Sequence, residues 1–347
     1  MASELVYLFE QIAREKGIEK SILARVVESA LISASRKNFG INNLPIQVEE
    51  SENTVKFICR KKVVKEPRIR LLEISLEDAK KVNPEIKLDD IISIDLDLKD
   101  FGRNAAQTAK QVIMQKLREA EREIVYKEFK EKEGQIISGV IHQKDNKDYI
   151  INIGKIEGVL PKREQVPCEN YSIGDHMKFY VLQVSITSKG SKVILSRAHN
   201  DFLYKLFEQE IPEMAEKIIS IKAVAREPGQ RSKVAVLSTD RNIDSVGTCV
   251  GIKGSRVHSI IYELGGEKID IIQWSSDPKI FITNALNPAK ISSVILDEKN
   301  KIAMIIVPRS QLSLAIGKHG QNARLTAKLT NWKVDVKTEE EIKNKSE

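Results

Sequence analysis

Two short segments, Gly251-Ile252-Lys253-Gly254 and Gly317-Lys318-His319-Gly320, decide the fold of the C-terminal half of this 347-residue chain. Each segment lies between two stretches with helical apolar spacing. A helix and two strands are predicted before each helix pair, and one strand after it. The order αββ, α-GxxG-α, β therefore occurs twice, with the glycine segments 66 positions apart (317 − 251). This repetition predicts two copies of one supersecondary unit.

The chemistry of a GxxG turn indicates the kind of ligand. A tight turn between two helices leaves the first backbone amides of the second helix without partners in that helix. Those amides and the helix dipole favour anions, and glycine lets a sugar-phosphate backbone approach closely. Lys253, Lys318, Arg256 and Arg324 add positive charge in or just after the turns. Single-stranded RNA, with its bases in the apolar groove beside each turn, is the predicted ligand.

A single GxxG would be weak support, because glycine turns between helices are common connections. Basic charge can also be no more than a solubilising surface. The repetition favours RNA binding, and residues 301–337, with seven basic residues against one acidic, suit a polyanion partner. The first repeat, residues 201–275, has 10 basic and 11 acidic residues. We therefore expect the second turn to contribute more of the salt-dependent affinity.

Composition sets the broad class of protein. The chain is long enough for two to four domains, and its net charge is +7. Its three cysteines, Cys59, Cys168 and Cys249, are scattered, which favours a reducing compartment and argues against a disulfide framework or a cysteine zinc site. Because the sequence contains no apolar run of transmembrane length and no signal-peptide pattern at its N-terminus, we expect a cytoplasmic protein with no membrane partner.

The segment between residues 134 and 200 is predicted to be all β. Five candidate strands occur at 136–142, 147–153, 156–160, 177–186 and 191–196. Five strands in this length predict a small OB-type barrel, which binds nucleic acid or acts only as a spacer. Tyr149 and Phe179 are the aromatic candidates for base stacking on it.

The N-terminal third predicts an α/β head that ends in a long helix. Residues 4–39 predict two helices around Lys16-Gly17, and residues 103–132 carry one continuous apolar stripe. Alternation predicts short strands at 46–48, 55–58, 69–75 and 91–96.

Nothing in the sequence favours an enzyme. The five histidines have no metal-ligand spacing, and the sequence contains no nucleotide-binding or nucleophile motif. Asp95 and Asp97 alternate on one candidate strand, where a solvent-facing edge is the more common explanation. We expect no catalytic residue, metal or cofactor. An RNA-binding accessory factor of a ribonuclease, or of ribosome assembly, remains the alternative function.

Longer blocks of sequence carry a family resemblance. They are Phe101–Ile113, Leu195–His199, Lys205–Glu210, Ala223–Gly229, Val246–Gly251 and Gln311–Leu325. With these blocks the chain resembles the bacterial NusA family of transcription termination/antitermination factors. Residues 1–100 match that family only in organisation. One departure is Pro161, which stands where many S1 barrels place a histidine on the binding face.

The resemblance implies a multidomain α+β protein with an N-terminal α/β head and long helix, a five-stranded OB-type S1 barrel and two type II KH domains. The implied domains are an RNA polymerase-binding domain at 1–133, the S1 domain at 134–200, and KH domains at 201–276 and 277–347. The implied function is to bind RNA polymerase and nascent single-stranded RNA, together with other Nus factors, and to modulate pausing, termination and antitermination. The free protein is expected to be a monomer.

The predicted RNA contacts lie mostly in and after the two turns. They are Gly251, Ile252, Lys253, Gly254, Ser255, Arg256, Gly317, Lys318, His319, Gly320, Gln321, Asn322, Arg324, Arg197 and Tyr149.

Overall fold

The computed structural model describes residues 20–41, 44–50, 55–96, 102–187 and 190–343. The chain divides into two compact units, an N-terminal unit (1–127) and a C-terminal unit (128–347). The predicted helix before Lys16-Gly17 and Asp97 lie outside the described residues. Within the described part, no helix is both long and apolar enough to cross a membrane.

The N-terminal unit is a four-stranded sheet with helices. Its elements are α1 (Lys20–Phe39), β1 (Ile46–Glu50), β2 (Val55–Val64), β3 (Glu73–Ser75), α2 (Leu76–Val82), β4 (Ile91–Asp95) and the start of α3 (Gly102–Glu131). The central strand β2 pairs antiparallel with β1 and β4 and parallel with β3. The strand predicted from residue 69 begins only at Glu73, because the Glu73 carboxylate accepts the backbone N–H groups of Arg68 and Ile69 and so holds a turn there.

The predicted barrel is confirmed. Its strands are β5 (Ile136–Asp145), β6 (Asp148–Asn152), β7 (Glu157–Leu160), β8 (His176–Thr187) and β9 (Gly190–Ser196). They close in the order β5-β6-β7-β9-β8. Alternate residues point inward, among them the fully buried Ile151, Phe179 and Leu195.

The first repeat (residues 201–276) has the predicted order of elements. They are α4 (Asn200–Glu210), α5 (Pro212–Ala215), β10 (Ile219–Glu227), β11 (Arg231–Ser238), α6 (Ser245–Val250), a 3₁₀ turn (Ile252–Gly254), α7 (Ser255–Glu263) and β12 (Lys268–Gln273). The single helix predicted at 201–217 is in fact two. Pro212 lacks the N–H needed to continue α4, and it starts α5 at the first helical position.

The second repeat (residues 277–347) follows the same plan. Its elements are α8 (Pro278–Ala285), β13 (Ser293–Asp297), β14 (Ile302–Val307), α9 (Leu312–Ile316), a 3₁₀ turn (Lys318–Gly320), α10 (Gln321–Thr330), β15 (Lys333–Thr338) and α11 (Glu339–Lys343). In each repeat the central strand pairs antiparallel with the strand before it and parallel with the last strand. The predicted internal repeat is confirmed.

The two repeats share an apolar core. Ala225, Ala235 and Ile272 from the sheet of the first repeat pack against Leu325 and Leu329 of the second. The barrel joins the first repeat in a similar way, because Tyr180 belongs to the core under α4. These shared cores fix the positions of the two GxxG turns relative to each other.

Candidate nucleic-acid interface

The two GxxG turns have nearly the same backbone. The first glycine, Gly251 or Gly317, has φ and ψ of 75° and 175° or of 77° and 172°. The last, Gly254 or Gly320, has φ of 81° or 73° and begins the following helix in the left-handed region. Positive φ at both ends explains why glycine occupies them. The same backbone conformation thus occurs in both repeats, which supports the same role for the two turns.

The third position of each turn is also left-handed, although it is not glycine. Lys253 has φ 51° and His319 has φ 53°. A side chain in this conformation costs about 1–2 kcal/mol. Both side chains are exposed, so burial of the side chain does not offset this cost. Each turn therefore keeps the left-handed conformation for the shape of its backbone.

The first glycine of each turn is needed for a second reason. A Cβ built on Gly317 would lie 2.8 Å from the backbone nitrogen of Asn322, and one on Gly251 would lie 2.9 Å from Cγ of Arg256. The start of the second helix therefore touches the first glycine directly. Any side chain at this position would force the two helices apart.

Arg256 and Asn322 hold equivalent places in the two turns. Each lies five residues after the first glycine of its turn. Its side chain donates to the backbone carbonyl of the residue three positions before that glycine. Arg256 Nη1 donates to Thr248 O (2.9 Å), and Asn322 Nδ2 donates to Leu314 O (3.0 Å). These bonds satisfy a carbonyl at the end of the preceding helix. Both residues were predicted to contact RNA, but in the structure they hold the turn together.

Asn322 is corrected as a predicted RNA contact. Its side chain is buried, and Nδ2 also donates to Leu286 O at 3.2 Å. The side-chain nitrogen therefore bonds within the fold. The side chain of Asn322 is not among the proposed RNA contacts.

The helices after the turns offer backbone amides. α7 begins at Ser255 and α10 at Gln321, and no side chain caps either N-terminus. Uncapped N–H groups and the positive end of a helix dipole suit a phosphate. This part of the sequence-based prediction has the geometry it requires.

In the first turn the arginine is paired with a carboxylate and the lysine is exposed. Arg256 is held by Glu213, with Nη1 3.0 Å from Oε2. Lys253 and Ile252 point outward, and Ile252 is 86% exposed.

Burial raises the pKa of the Cys249 thiol, on the helix before the turn, to about 12. That thiol therefore stays protonated at neutral pH.

The second turn presents an exposed lysine and an exposed histidine, with exposed apolar side chains beside them. Lys318 and His319 are exposed. Leu314 and Ile316, on the helix before the turn, are 48% and 36% exposed. The sequence reasoning missed these two residues, because an apolar stripe on a short helix predicts a core position. Their exposed side chains form an apolar surface beside the turn, of the kind against which RNA bases pack.

Arg324 and Gln321 connect the second turn to the first repeat. Arg324 Nη2 donates to Glu227 Oε2 at 3.1 Å, and Gln321 Nε2 donates to the same oxygen at 2.9 Å. The hydrogen bond from Arg324 is the main cause that lowers the pKa of the Glu227 carboxyl below its ordinary value. Arg324 Nη1 also donates to His319 O (3.3 Å), so this arginine supports the turn as well.

Arg197 is a second correction to the predicted RNA contacts. Its side chain is 1% exposed and is enclosed by two carboxylates, with Nη2 2.7 Å from Glu169 Oε1 and Nη1 3.1 Å from Glu263 Oε1. Glu169 belongs to the barrel and Glu263 to the first repeat. Arg197 therefore joins two domains inside the protein, and its side chain is not available to RNA.

The barrel retains one aromatic candidate. Tyr149 is partly exposed, its ring centroid is 5.1 Å from that of Tyr171, and Lys144 Nζ lies 5.4 Å from its ring centroid. Phe179 is fully buried in the barrel core, so the expectation that it stacks on a base is wrong.

No metal site is evident in the described ranges, where no group of three or more His, Cys, Asp or Glu side chains could hold an ion. This finding concerns the described residues alone. The chemistry that the candidate interface supports is binding, through amides, exposed lysines and apolar side chains.

Four protein families match consecutive parts of the chain. The NusA N-terminal domain matches residues 4–123, and the S1 RNA binding domain matches 130–197. The NusA-like first KH domain matches 197–274, and the NusA-like second KH domain matches 278–344. The two KH matches contain the two GxxG turns.

Curated relatives match over nearly the whole length. A Bacillus subtilis protein named "Transcription termination/antitermination protein NusA" is 47% identical over 98% of this chain and 92% of its own. One with the same name from Halalkalibacterium halodurans is 46% identical over 98% of this chain and 90% of its own. A third, from Thermus thermophilus, is 38% identical over 96% of this chain and 89% of its own.

Proposed function

We propose that this chain, which belongs to the NusA family, is an RNA-binding transcription factor that binds RNA polymerase and nascent RNA and modulates pausing, termination and antitermination. The observation that carries the proposal is the pair of GxxG turns with matching backbones, held in fixed positions by shared cores. The names of the relatives indicate the process, and the turns indicate the chemistry by which RNA would be held.

We further propose four domains, at 1–133, 134–200, 201–276 and 277–347, with the first contacting RNA polymerase. The proposed RNA contacts are the backbone amides of the two turns, the exposed side chains of Lys253, Lys318 and His319, and the apolar side chains beside them. Other Nus factors are proposed partners, and the protein is proposed to act as a cytoplasmic monomer without catalytic activity of its own.

The proposal is tested by in vitro transcription across a hairpin-dependent terminator, with and without the full chain. We expect the protein to change the fraction of terminated transcripts, and Lys318→Asp to weaken this effect. Lys299→Asp is the control, because it makes the same change in charge at an exposed turn between β13 and β14.

RNA affinity is measured on the same proteins by filter binding at several salt concentrations. Each phosphate contact contributes roughly 0.7 to the slope of log K against log salt for single strands. Lys318→Asp should therefore lower the slope by about 0.7 or more, whereas Lys299→Asp should leave it unchanged. An unaltered slope in Lys318→Asp would contradict a phosphate contact at the second turn. Divalent-dependent RNA cleavage, or co-purification with ribosomal subunits instead of RNA polymerase, would favour the alternative functions.

A further inference from the structure

The hairpin between β10 and β11 of the first repeat contacts the start of α10, the helix that follows the second GxxG turn. Its Glu227 carboxylate accepts hydrogen bonds from two side chains of that helix, Gln321 Nε2 at 2.9 Å and Arg324 Nη2 at 3.1 Å. Gln230 Oε1, in the same hairpin, accepts a further bond from Gln321 Nε2 at 3.1 Å. The first repeat therefore sets the direction of two polar side chains at the start of α10.

Arg324 extends this contact to the backbone of the turn. Its Nη1 donates to His319 O at 3.3 Å, and His319 is the left-handed residue of the second turn, with φ 53°. The Glu227 side chain is 15% exposed and that of Arg324 is 49% exposed. The carboxylate is thus mostly enclosed by the protein. A chain of contacts runs from Glu227 in the first repeat, through Arg324, to the turn in the second.

The first turn has a different arrangement at the same position. His258 and Arg324 are equivalent, because each lies seven residues after the first glycine of its turn. A Cβ built on Gly254 would lie 2.9 Å from the ring of His258, so this side chain covers the last glycine of the first turn. A Cβ built on Gly320 would meet nothing within 4 Å. Arg324, bonded to Glu227, leaves the last glycine of the second turn open.

An open glycine at this place gives access to the N-terminus of α10. The helix begins at Gln321, directly after Gly320, and no side chain caps it. A phosphate binds at a helix N-terminus by close approach to the backbone amides there. A side chain that lay over Gly320 would occupy the space that the phosphate needs.

We propose that Glu227 is a positioning residue for RNA binding at the second turn, because it holds Arg324 and Gln321 beside the helix end and keeps that end open. The proposal rests on the RNA binding proposed above, and it gives the first repeat a role in the phosphate site of the second. By charge alone, a carboxylate near a phosphate site is unfavourable, since the two anions repel each other. Glu227 favours RNA binding only if its positioning effect is larger than that repulsion.

The sign of the change in RNA affinity caused by Glu227→Gln tests the proposal. This substitution keeps the size of the side chain and removes its charge, so it weakens the charge-assisted bonds to Arg324 and Gln321. If Glu227 were only a nearby anion, the variant would bind single-stranded RNA more tightly. We expect the full chain with Glu227→Gln to bind about threefold or more weakly in filter binding, a factor typical of coupled side chains.

The matched control is Glu298→Gln, which removes the charge of an exposed carboxylate in the turn between β13 and β14. Its RNA affinity should not fall. A second pair of variants tests whether Glu227 acts through Arg324. Glu227→Gln should weaken RNA binding in the otherwise unaltered chain and cause little further loss in a chain that also contains Arg324→Ala.

Hydrogen exchange in the RNA-free chain distinguishes positioning from a general loss of stability. The amides of Gly320 and Gln321 are bonded within the turn, to Gly317 O and Lys318 O, so they report on its conformation. Glu227→Gln should accelerate their exchange by a larger factor than that of the β14 amides. An equal acceleration of both sets would show that Glu227 only stabilises the repeats as a whole.

Other outcomes would also overturn the proposal. One is tighter RNA binding by Glu227→Gln, and another is an equal loss of affinity in Glu298→Gln. A loss of the same size with and without Arg324 would show that Glu227 acts independently of that arginine. If the unaltered chain binds no RNA, the proposed function itself fails. If Lys318→Asp weakens RNA binding and Glu227→Gln does not, only the positioning role fails.

Discussion

The two glycines of the second turn should differ sharply in how they tolerate alanine. Gly317 has φ 77° and ψ 172°, a region that is essentially restricted to glycine. An alanine Cβ there would also lie 2.8 Å from the backbone nitrogen of Asn322. Gly320 has φ 73° and ψ 13°, close to the left-handed helical region, and a Cβ there would meet nothing within 4 Å.

These geometries set the expected loss of stability. Gly320→Ala introduces only the left-handed conformation, which costs about 1 kcal/mol. Gly317→Ala adds the rarer conformation, at about 1–3 kcal/mol, and a backbone contact. Asn322 cannot move away cheaply, because its side chain is bonded to Leu286 O and Leu314 O. We expect a total of about 3 kcal/mol or more for Gly317→Ala.

Tryptophan fluorescence during urea unfolding provides the assay. The chain has two tryptophans, Trp274 and Trp332. Trp332 lies in the core of the second repeat, and Trp274 packs against the core shared by the repeats. The signal therefore reports on the unfolding of the repeats. With a slope of about 2 kcal/mol per molar urea, a 2 kcal/mol difference separates the two midpoints by about 1 M.

Gly320→Asn provides the matched control, since asparagine adopts the left-handed region more readily than alanine. It should unfold at or above the midpoint of Gly320→Ala. Equal midpoints for Gly317→Ala and Gly320→Ala, or a lower one for Gly320→Ala, would refute the reasoning. Such a result would mean that the second helix can shift away from the turn at little cost.

Two further predictions concern contacts between domains. The Glu227 pKa is lowered in the folded protein, chiefly by Arg324, so its contribution to stability is present above pH about 4.5 and is lost as the pH falls through the folded pKa. Glu227→Gln should flatten the pH dependence of the urea midpoint below pH 4.5, and an unchanged profile would contradict the assignment. Arg197→Met leaves the buried Glu169 carboxylate without its positively charged partner and should destabilise the barrel and first repeat by about 3–5 kcal/mol. The salt dependence of RNA binding should not change in Arg197→Met if the variant remains folded, and a reduced slope would show that Arg197 reaches RNA after all.

Local pattern was sufficient to predict the order of elements. Apolar residues that recur every 3.6 residues predicted the helices of both repeats, and those that recur every second residue predicted the strands. The glycine segments predicted the turns between the helices. The strand predicted at 302–307 has those bounds in the structure. The helix predicted at 201–217 was wrong only where Pro212 divides it, a feature that the sequence already contained.

Side-chain partners could not be predicted in this way, because they depend on residues far apart in the chain. The arginine at position 197 is paired with carboxylates 28 and 66 residues away, and nothing in its neighbourhood indicates them. The same holds for Asn322, whose partner Leu286 O is 36 residues earlier. A polar residue next to a binding motif was therefore predicted to face the ligand when it in fact supports the fold.

The two turns lie in segments of different charge, although their backbones match. Each turn has one exposed lysine, Lys253 or Lys318, and one arginine paired with a carboxylate, Arg256 with Glu213 or Arg324 with Glu227. Residues 301–337 around the second turn have seven basic residues against one acidic, whereas residues 201–275 have 10 against 11. Because salt-dependent affinity requires charge that counterions would otherwise cover, the second turn should supply most of it. The contribution of the first turn should come from backbone amides and from contact between the bases and Ile252, which is 86% exposed.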